Sequence, residues 1–385
     1  MTDAGKMPPV SISSCSTYDT ETIRAILRKH FSELGITHEY LAGKKIVLKP
    51  NLVIAREPER AATTHPAVVE AVYDFLTELG ADNVILAESP GGPYTSVSLN
   101  RIYRITGMTE IEGRKGIPLN GDYSFRKMSF SGGRKLKEFD VITPIADADI
   151  IFNLCKLKTH SLTGLSCAVK NLFGVIPGTL KIEMHAAYPK LDVFSEMLVD
   201  LNFTLSEKKK IVSICDAVVS MEGNGPTNGT PVETGLILSS ENAFALDVVA
   251  EKLVGLEGET KYLDIGCERL GIPRRYDGNI GIEGRPEGLR RPDSKAGALL
   301  RGFPDMFGGL LGRFIEPKPK ISARCVGCGK CVESCPQKTI QFKVRKGKKV
   351  ADISYRDCIR CYCCQELCPY GAVDTAKNAL LRLIH

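Results

Sequence analysis

The sequence lacks any stretch apolar enough to cross a membrane. No run of about 18 apolar residues occurs in its 385 positions, and the opening residues, M-T-D-A-G-K, are not followed by the apolar region of a secretory signal. We therefore predict that the chain has neither a membrane span nor a signal peptide.

The common nucleotide-binding motifs are also missing. The sequence contains neither G-x-x-x-x-G-K-[ST] nor a well-placed G-x-G-x-x-G, so phosphate-loop NTPases and ordinary dinucleotide-binding enzymes lose their usual support. Positive and negative residues are nearly balanced, with 51 Lys and Arg residues against 45 Asp and Glu residues and a net charge of +6. This weak and diffuse positive charge does not indicate a nucleic-acid partner.

Cysteine, by contrast, is concentrated in two runs, Cys325–Pro336 and Cys358–Pro369. Each run spells C-x2-C-x2-C-x3-C-P, the ligand pattern of two-cluster bacterial ferredoxins, in which the fourth cysteine binds the other cluster. We therefore predict two [4Fe–4S] clusters with crossed ligands, and a pair of zinc sites is the alternative. The predicted ligands are Cys325, Cys328, Cys331 and Cys368 for one cluster, and Cys358, Cys361, Cys364 and Cys335 for the other.

The segment between the two runs alternates apolar and polar residues around Gly347, which predicts a β-hairpin. Its tip is strongly basic. This patch is interpreted either as a docking surface for an acidic redox partner protein or as a solvated turn. Its residues are Lys343, Arg345, Lys346, Lys348 and Lys349.

The remaining cysteines do not follow a ligand pattern. Cys363 lies between two predicted ligands and is interpreted as a ninth, non-ligating thiol, with the alternative that it replaces Cys364. Without the spacing of a small disulfide-rich domain, a reducing cytoplasm is the predicted location, and oxygen-sensitive clusters favour an anaerobic or microaerobic host. Five scattered cysteines are predicted to lie in the core: Cys15, Cys155, Cys167, Cys215 and Cys267.

The long N-terminal part alternates short apolar runs with segments of helical period, which is typical of βαβ units. Because the apolar runs do not alternate strictly, we predict an α/β domain (1–283) with a large mixed or mainly parallel sheet and helices on both faces. A Gly-, Pro- and Arg-rich connection (284–320) leads to a small α+β ferredoxin-type domain (321–385). The predicted strands are 44–50, 83–88, 149–154, 210–215 and 235–238, and the predicted helices are 66–80 and 242–253.

Ligands of open α/β sheets bind at the carboxyl ends of strands, and polar residues gather at three such ends. The first holds Lys49 and Asn51, with His65 before the next helix, and the second holds Glu88. At the third, D-I-I-F-N-L-C-K-L-K-T-H contributes Lys156, Lys158 and His160.

The residues after this third strand end have helical spacing. Leu162, Leu165, Val169 and Leu172 recur on one face, so a helix capped by Thr159 or Ser161 is predicted. Its positive N-terminal end would place the preceding lysines and histidine in an anion site for a carboxylate or phosphate. The alternative is that the lysines face solvent and the histidine is only packed.

Further polar residues lie in predicted loops. Lys170 and Asn171 precede a glycine, Asp216 follows a strand, and Glu222 lies in a glycine-rich turn. Each could be a turn or capping residue, or together they could supply an acid–base pair near the anion site. His65, His160 or His185 could move protons near neutral pH.

The segments K-P-N, T-T-H-P, A-E-S-P-G-G, K-L-K-T-H, K-N-L-F-G-V-I-P-G and M-E-G-N-G-P together resemble the domain-of-unknown-function family 362, over about Val47 to Gly255. The resemblance implies a C-terminal two-cluster ferredoxin module but no settled activity. It points to a set of functional segments without assigning roles to them. Their residues are Lys49, Asn51, His65, Glu88, Lys156, Lys158, His160, Lys170, Asn171, Asp216 and Glu222.

The leading hypothesis is an oxidoreductase whose clusters relay electrons to a substrate, or to an additional organic cofactor of unknown identity, in the α/β domain. Two alternatives are a non-enzymatic electron-transfer or redox-sensing protein and a non-redox lyase or isomerase with structural clusters. The predicted catalytic residues are His160, Lys158, Asp216, Glu222 and His65. The predicted binding residues for a small anionic ligand or cofactor are Lys49, Asn51, Glu88, Lys156, Lys170 and Asn171.

Overall fold

A computed structural model describes residues 5–277, 289–290 and 317–376. Residues 5–277 form the α/β domain, and residues 317–376 form a small C-terminal module. The strands of the α/β domain are β1 (Ser11–Ser14), β2 (Ile46–Pro50), β3 (Val84–Leu86), β4 (Phe125–Ser129), β5 (Glu138–Ile142), β6 (Ile150–His160), β7 (Gly164–Ser166), β8 (Lys210–Glu222) and β9 (Thr230–Ser240). Its helices are α1 (Thr20–Leu34), α2 (His38–Leu41), α3 (Pro66–Glu78), α4 (Ser96–Ile105), α5 (Met108–Lys115), α6 (Thr143–Asp147), α7 (Ala168–Asn171), α8 (Leu180–Ala187), α9 (Leu191–Lys208), α10 (Ala243–Leu253) and α11 (Lys261–Leu270), with 3-10 turns at Pro58–Arg60 and Leu172–Val175.

Seven strands form one mixed sheet in the order β1-β9-β8-β6-β2-β3, with β7 paired to β6. The central strands β8, β6, β2 and β3 are parallel, whereas β1, β7 and β9 join in antiparallel pairs. The fold class predicted from the sequence is therefore confirmed.

Helices cover both faces of this sheet, and the alternation of side chains along β6 shows how. Phe152 and Leu154 pack into a core with α1 and α3, whereas Ile151 and Cys155 pack into a second core with α9 and α10. Because successive strand residues point to opposite faces, a strand buried on both sides becomes apolar throughout. From Ile150 to Cys155, β6 is accordingly apolar on both faces except at Asn153, and its lysines and histidine come only toward its end.

The helices around the sheet begin at the expected capping residues. Asp19 accepts a hydrogen bond from the Thr22 N–H at the start of α1, and Asn242 accepts two at the start of α10. Pro66 occupies the first turn of α3, where a missing N–H costs nothing. These caps fix where the preceding loops enter the helices.

The C-terminal module contains two short helices, α12 (Lys330–Glu333) and α13 (Cys363–Glu366), and two strand pairs. β10 (Lys318–Ile321) pairs with β13 (Val373–Ala376), and β11 (Ile340–Arg345) pairs with β12 (Lys348–Ile353). The second pair is the predicted hairpin, and Gly347 lies in its turn with a φ of 74°. The hairpin prediction is therefore confirmed.

One element prediction is wrong. The segment after His160 does not continue as a helix, because β6 extends to His160 and β7 turns back along it, pairing Lys158 with Ser166. Only the four residues of α7 are α-helical before the 3-10 turn. The predicted anion site at a helix N-terminus therefore does not exist, and these side chains belong to a strand.

Most of the predicted connection, 284–288 and 291–316, lies outside the described residues. Leu289 is buried and donates its N–H to the Val254 carbonyl, while Lys318–Ile321 already belongs to β10. No helix in the described ranges is long and apolar enough to cross a bilayer.

Candidate functional site

The eight predicted cluster ligands form two groups in the C-terminal module. Each group lines its own cavity, and in each the fourth cysteine comes from the other run. All the cysteines are free thiols, and Cys328 is the exposed one. One group is Cys325, Cys328, Cys331 and Cys368, and the other is Cys335, Cys358, Cys361 and Cys364.

The backbone around these sulfurs fits anionic cluster ligands. The Ala351, Thr339 and Ala372 N–H groups donate to Cys325 Sγ, Cys335 Sγ and Cys368 Sγ at 3.5, 3.3 and 3.2 Å. Hydrogen bonds from the backbone to ligand sulfurs stabilise thiolates and tune iron–sulfur clusters.

The two ligand loops share one backbone shape although their sequences differ. Gly327 and Gly329 in the first loop have φ values of 71° and 86°. Arg360 and Tyr362, at the corresponding places of the second loop, also have positive φ values, 55° and 63°. Residues other than glycine rarely adopt this backbone conformation. The second loop therefore adopts it at a cost in conformational energy, which is typical of functional sites.

The second cysteine run is also the part of the module that contacts the α/β domain. Arg56 donates to the Pro369 carbonyl at 2.8 Å and to the Cys368 carbonyl at 3.2 Å. Thr227 Oγ1 donates to the Glu366 carbonyl at 2.9 Å. Every acceptor here is a main-chain carbonyl of the ligand loop, so the α/β domain holds the loop's backbone directly.

A cavity of about 70 Å³ lies where this loop meets the carboxyl edge of the sheet. The module contributes Cys363, Glu366 and Leu367 to its wall. The predicted site residues that line it from the α/β domain are Asn51, Glu88, Lys158, Lys170 and Asn171. The structure therefore brings five of the eleven predicted binding and catalytic residues to one cavity.

A buried ion pair forms one side of this cavity. Lys49 Nζ lies 2.5 Å from Glu88 Oε2, and both side chains are at most 4% exposed. Burial lowers the pKa of Lys49 and raises that of Glu88, while each charge opposes the shift of the other. Gly174 completes the packing, because a Cβ there would lie 2.6 Å from both Lys49 Nζ and Glu88 Oε1.

Lys158 is buried and has only neutral partners. Its Nζ donates to Asn51 Oδ1 at 3.0 Å and to the Ala62 carbonyl at 2.8 Å. Burial and the nearby charge of Lys170 lower the pKa of Lys158 to about 7. Neutral amine and ammonium are therefore both present at neutral pH.

A chain of buried amides fixes the orientation of Asn51. Asn51 Nδ2 donates to Asn171 Oδ1 at 2.9 Å, and Asn171 Nδ2 donates to Asn153 Oδ1 at 2.8 Å. Since these donors occupy both amide nitrogens, the Asn51 oxygen is the atom directed at Lys158. The chain joins β2, β6 and α7, so three elements position one acceptor.

Two further lysines line the cavity. Lys181 donates to Ser89 Oγ and to the carbonyls of Ser89, Pro90 and Ile176, and burial lowers its pKa to about 7. Lys170 is half-buried, with its Nζ 5.5 Å from the centre of the Phe173 ring. In the described part of the chain, no carboxylate lies within ion-pair distance of either lysine.

His160 connects β6 to the module behind this cavity. Its Nδ1 accepts the N–H groups of Leu162 and Thr163, so the ring hydrogen is on Nε2, which lies 3.1 Å from Glu366 Oε1. Burial lowers the pKa of His160 to about 4, which makes it neutral. Burial would raise the pKa of Glu366, but His160 and Lys170 outweigh it and lower the pKa to about 2.

Three predicted residues form a separate cluster away from the cavity lining. Lys156 Nζ lies 2.8 Å from Asp216 Oδ2, and Tyr18 donates to the same carboxylate at 3.0 Å. The His65 ring stacks on Tyr18 at 3.6 Å, and the backbone N–H of His65 also donates to Asp216. These contacts tie the segment after β1 and the start of α3 to β6 and β8.

Glu222 is remote from both groups. It accepts the Arg290 N–H at 2.9 Å near the end of β8, so its observed contacts are those of a residue that holds a chain segment. Both residues lie within β8, and not after a strand and in a turn as predicted. Asp216 pairs with Lys156 while Glu222 accepts from Arg290, so the predicted acid–base pair is not formed.

Sequence reasoning missed Lys181, Glu366 and Tyr18. Glu366 had a possible signal, since it occupies the place in the second run that Glu333 occupies in the first. Glu333 is exposed and pairs with Lys330, whereas Glu366 faces the α/β domain. Tyr18 gave no local signal, because its partner Asp216 is 198 positions away.

The five scattered cysteines are buried, as predicted. Three of them pack together in the core, with Cys167 Sγ 3.7 Å from Cys155 Sγ and 3.4 Å from Cys215 Sγ. They lie on the face of the sheet covered by α9 and α10.

The chain is similar to several known proteins. The thylakoid-associated protein sll1697 of Synechocystis sp. is 32% identical over 272 residues, which covers 68% of this chain and 79% of that protein. Among solved structures, a Thermotoga maritima protein has 15% identity and a TM-score of 0.40 over 66% of this chain. The lactate racemase apoprotein of Thermoanaerobacterium thermosaccharolyticum has 11% identity and a TM-score of 0.39 over 67% of this chain.

The chain spans 60% and 59% of the lengths of these two solved structures. Residues 324–372 match the 4Fe-4S dicluster domain, so the C-terminal module is an iron–sulfur electron-transfer module. Residues 46–252 match the domain of unknown function DUF362, and the resemblance noted from the sequence is therefore confirmed. The chain belongs to the DUF362 family and combines that domain with a 4Fe-4S dicluster domain.

Proposed function

We propose that the chain is an iron–sulfur oxidoreductase in which two [4Fe–4S] clusters exchange electrons with a small anionic molecule bound between the module and the α/β domain. The observation that carries this proposal is the shared cavity wall. Cys363, which lies between two predicted cluster ligands, lines the same cavity as Lys158 and Lys170.

The two cysteine groups are suited to hold one cluster each. When bound, such clusters supply electrons one at a time at potentials set by ligand hydrogen bonds and exposure. The group that contains Cys361 and Cys364 is the nearer one in sequence to the cavity wall at Cys363. The cluster held by this group would exchange electrons with the ligand in the cavity. The cluster held by the other group, which contains the exposed Cys328, would exchange electrons with an external redox partner.

The charge of the cavity favours an anion. Lys158, Lys170 and Lys181 line it, and in the described ranges none of them pairs with a carboxylate, whereas Glu88 is paired with Lys49. A cation in a poorly solvated site is stabilised when it binds an opposite charge. A carboxylate or a small oxoanion is therefore the expected ligand.

The module also covers one side of the cavity, and a histidine of β6 lies against the module there. Leu367 packs against Gly91, where a Cβ would lie 2.6 Å from Leu367 Cδ2, so the cavity is closed on this side. His160 Nε2 lies 3.1 Å from the Glu366 carboxylate. His160 can therefore hold a proton next to the route between cluster and ligand.

Replacing Lys170 by alanine should raise the half-saturating concentration of the anion by about 10- to 100-fold, the usual loss for a hydrogen bond to a charged group. The protein would be reduced anaerobically with dithionite, freed of excess reductant and mixed with pyruvate, glyoxylate, bicarbonate, nitrite or sulfite. Recovery of the iron–sulfur absorbance measures reoxidation.

Lys44→Ala is the control, because Lys44 is exposed at the other end of β2. Mass spectrometry of molecules released from the purified protein would show whether an organic cofactor or metabolite is bound beforehand. If no small anion reoxidises the protein while an acidic carrier protein does, the oxidoreductase proposal is wrong.

A second candidate function is that of an electron carrier between proteins, and the basic hairpin favours it. β11 and β12 lie over the first ligand loop, where a Cβ on Gly327 would lie 2.4 Å from the Lys349 carbonyl oxygen. All five basic side chains of the hairpin are exposed next to the loop that carries Cys328. An acidic partner docked here would lie close to the first cysteine group.

The double variant Lys346→Glu/Lys348→Glu should slow association with an acidic carrier about tenfold at low salt, because charge reversal removes electrostatic steering. Stopped-flow reduction by a small acidic ferredoxin, repeated at increasing salt, measures this effect. The difference in association rate between the wild type and the double variant should become smaller as the salt concentration rises. Lys44→Glu/Lys45→Glu is the matched control, and an equal slowing in both double variants would exclude the hairpin as the docking surface.

A further inference from the structure

Among the described residues, four lysines are buried, and their hydrogen-bond and ion-pair partners differ. Lys49 and Lys156 each form an ion pair, with Glu88 and Asp216. Lys181 has four oxygen atoms around its three hydrogens. Lys158 alone among these four combines two neutral acceptors with a place in the cavity wall and no carboxylate partner.

The hydrogen bonds of Lys158 suit a neutral amine. A primary amine has two hydrogens, and Asn51 Oδ1 and the Ala62 carbonyl accept one each. The nitrogen lone pair then remains unoccupied, while the amide chain behind Asn51 keeps its oxygen in place. Buried lysines with lowered pKa values beside another cation are the ones that serve as nucleophiles toward carbonyl groups.

The charges around Lys158 also favour the neutral form on balance. Lys170 and Lys156 lower its pKa and Glu366 and Glu88 raise it, but burial is the largest effect, and the pKa is about 7. An amine with this pKa is about half deprotonated at neutral pH, against a minute fraction for an exposed lysine.

We propose that Lys158 forms an imine with the carbonyl carbon of a small 2-oxo acid, whose carboxylate is bound by Lys170. The inference depends on the proposed function only in taking the cavity between the module and the α/β domain, called the interface cavity from here on, as the substrate site. Its volume of about 70 Å³ suits a molecule of a few heavy atoms. A 2-oxo acid presents the two groups that this wall can receive, an anion and an electrophilic carbonyl.

The chemical step balances within the site. Lys158 Nζ attacks the carbonyl carbon, a C–N bond forms, and the carbonyl oxygen leaves as water with the two amine hydrogens or their exchanged equivalents. With one further proton taken up, the product is a positively charged iminium. It draws electron density from C3, the carbon next to the iminium carbon, so that a C3–H bond of a substrate such as pyruvate can break, with its electron pair forming the enamine double bond and its proton passing to water.

Reductive trapping tests the proposal directly. The full chain, purified anaerobically with its clusters, would be incubated with pyruvate or glyoxylate and sodium cyanoborohydride, then digested and analysed by mass spectrometry. Saturable addition of the reduced probe to the Lys158 peptide is expected. Lys44, which is exposed, reports non-specific labelling in the same sample.

Two variants separate the amine from the charge. Lys158→Arg keeps a cation without a nucleophilic amine, and Lys158→Met removes both. Each is expected to lose the saturable label, and circular dichroism checks that the α/β domain, which carries Lys158, has folded. Acetaldehyde, which lacks a carboxylate, should label Lys158 at least about tenfold less than glyoxylate at equal concentration, because it cannot pair with Lys170.

Failure of the imine proposal can be told from failure of the electron-transfer proposal. If neither probe labels Lys158 above the level of Lys44, or if Lys158→Arg is labelled equally elsewhere, the imine proposal is wrong. Reoxidation of the clusters by the same probes would leave the oxidoreductase proposal standing in that case. If Lys158 is labelled but the probes never reoxidise the clusters, the imine proposal holds and the electron route is wrong.

Discussion

Replacing Lys49 by methionine is expected to lower the free energy of unfolding of the α/β domain by about 3–5 kcal/mol. The substitution leaves Glu88 buried beside the cavity without its partner, which lies 2.5 Å away in the native protein. An unpaired carboxylate in this environment must either be protonated or draw in water. Denaturant unfolding followed by circular dichroism under anaerobic conditions measures the loss.

The double variant Lys49→Met/Glu88→Leu should recover most of that stability, since two apolar side chains of similar size replace the pair. Lys127→Met is the matched control, because Lys127 and Glu138 form an exposed ion pair at 2.9 Å. The denaturant midpoint of unfolding of Lys127→Met should barely change. Equal destabilisation by Lys49→Met and Lys127→Met would contradict the conclusion that the loss of stability comes from leaving a buried carboxylate without its partner.

Removing the fourth cysteine of either run should remove the cluster of the other run. We expect Cys368→Ala to match Cys325→Ala and Cys335→Ala to match Cys358→Ala, each with about half of the native iron. The reason is that each cavity in the module is lined by three cysteines of one run and the last cysteine of the other. Iron content and the electron paramagnetic resonance spectrum of the remaining reduced cluster measure the pairing.

Cys363→Ala serves as the control for this series. Cys363 lines the interface cavity rather than either cluster cavity, so full iron content is expected. Iron loss in that variant would make Cys363 a ligand in place of Cys364. If Cys368→Ala instead matched Cys358→Ala, the ligands would not be crossed.

The sequence predicts best the features that depend on neighbouring residues. The spacing of the cysteines defines their two groups, and apolar runs locate the strands at Ile46–Pro50 and Val84–Leu86. The residues that end these strands, Asn51 and Glu88, do reach one cavity. Local patterns carry this information because the carboxyl ends of parallel strands lie along one edge of a sheet.

The failed helix after His160 shows where local patterns stop being sufficient. Leu162, Leu165, Val169 and Leu172 fit a helical period, but β2 ends opposite Leu154. The edge of β6 beyond that point is open, and β7 fills it. Sheet pairing outweighed helical periodicity here, because the open edge depends on the length of a strand far earlier in the chain.

The predicted site residues fall into two groups, one around Lys158 and one around Lys156, for a similar reason. The pairing of β6 with β8 shifts register between Lys156 and Lys158, because β8 has extra residues at this point. Lys156 lies opposite Asp216 before the shift and pairs with it, whereas Lys158, after the shift, reaches Asn51. A bulge of this kind depends on the partner strand and leaves no sign in the sequence of β6.

The helix α13 and the residues that flank it have two sides with different tasks. Cys361, Cys364 and Cys368 line the cluster cavities, and the interleaved Cys363, Glu366 and Leu367 line the interface cavity. Inserting or deleting a single residue here would rotate the downstream side chains by about 100° and misplace both sets at once. The two tasks can therefore change only by substitution, one side chain at a time, and this short stretch should tolerate length variation far less than the hairpin tip.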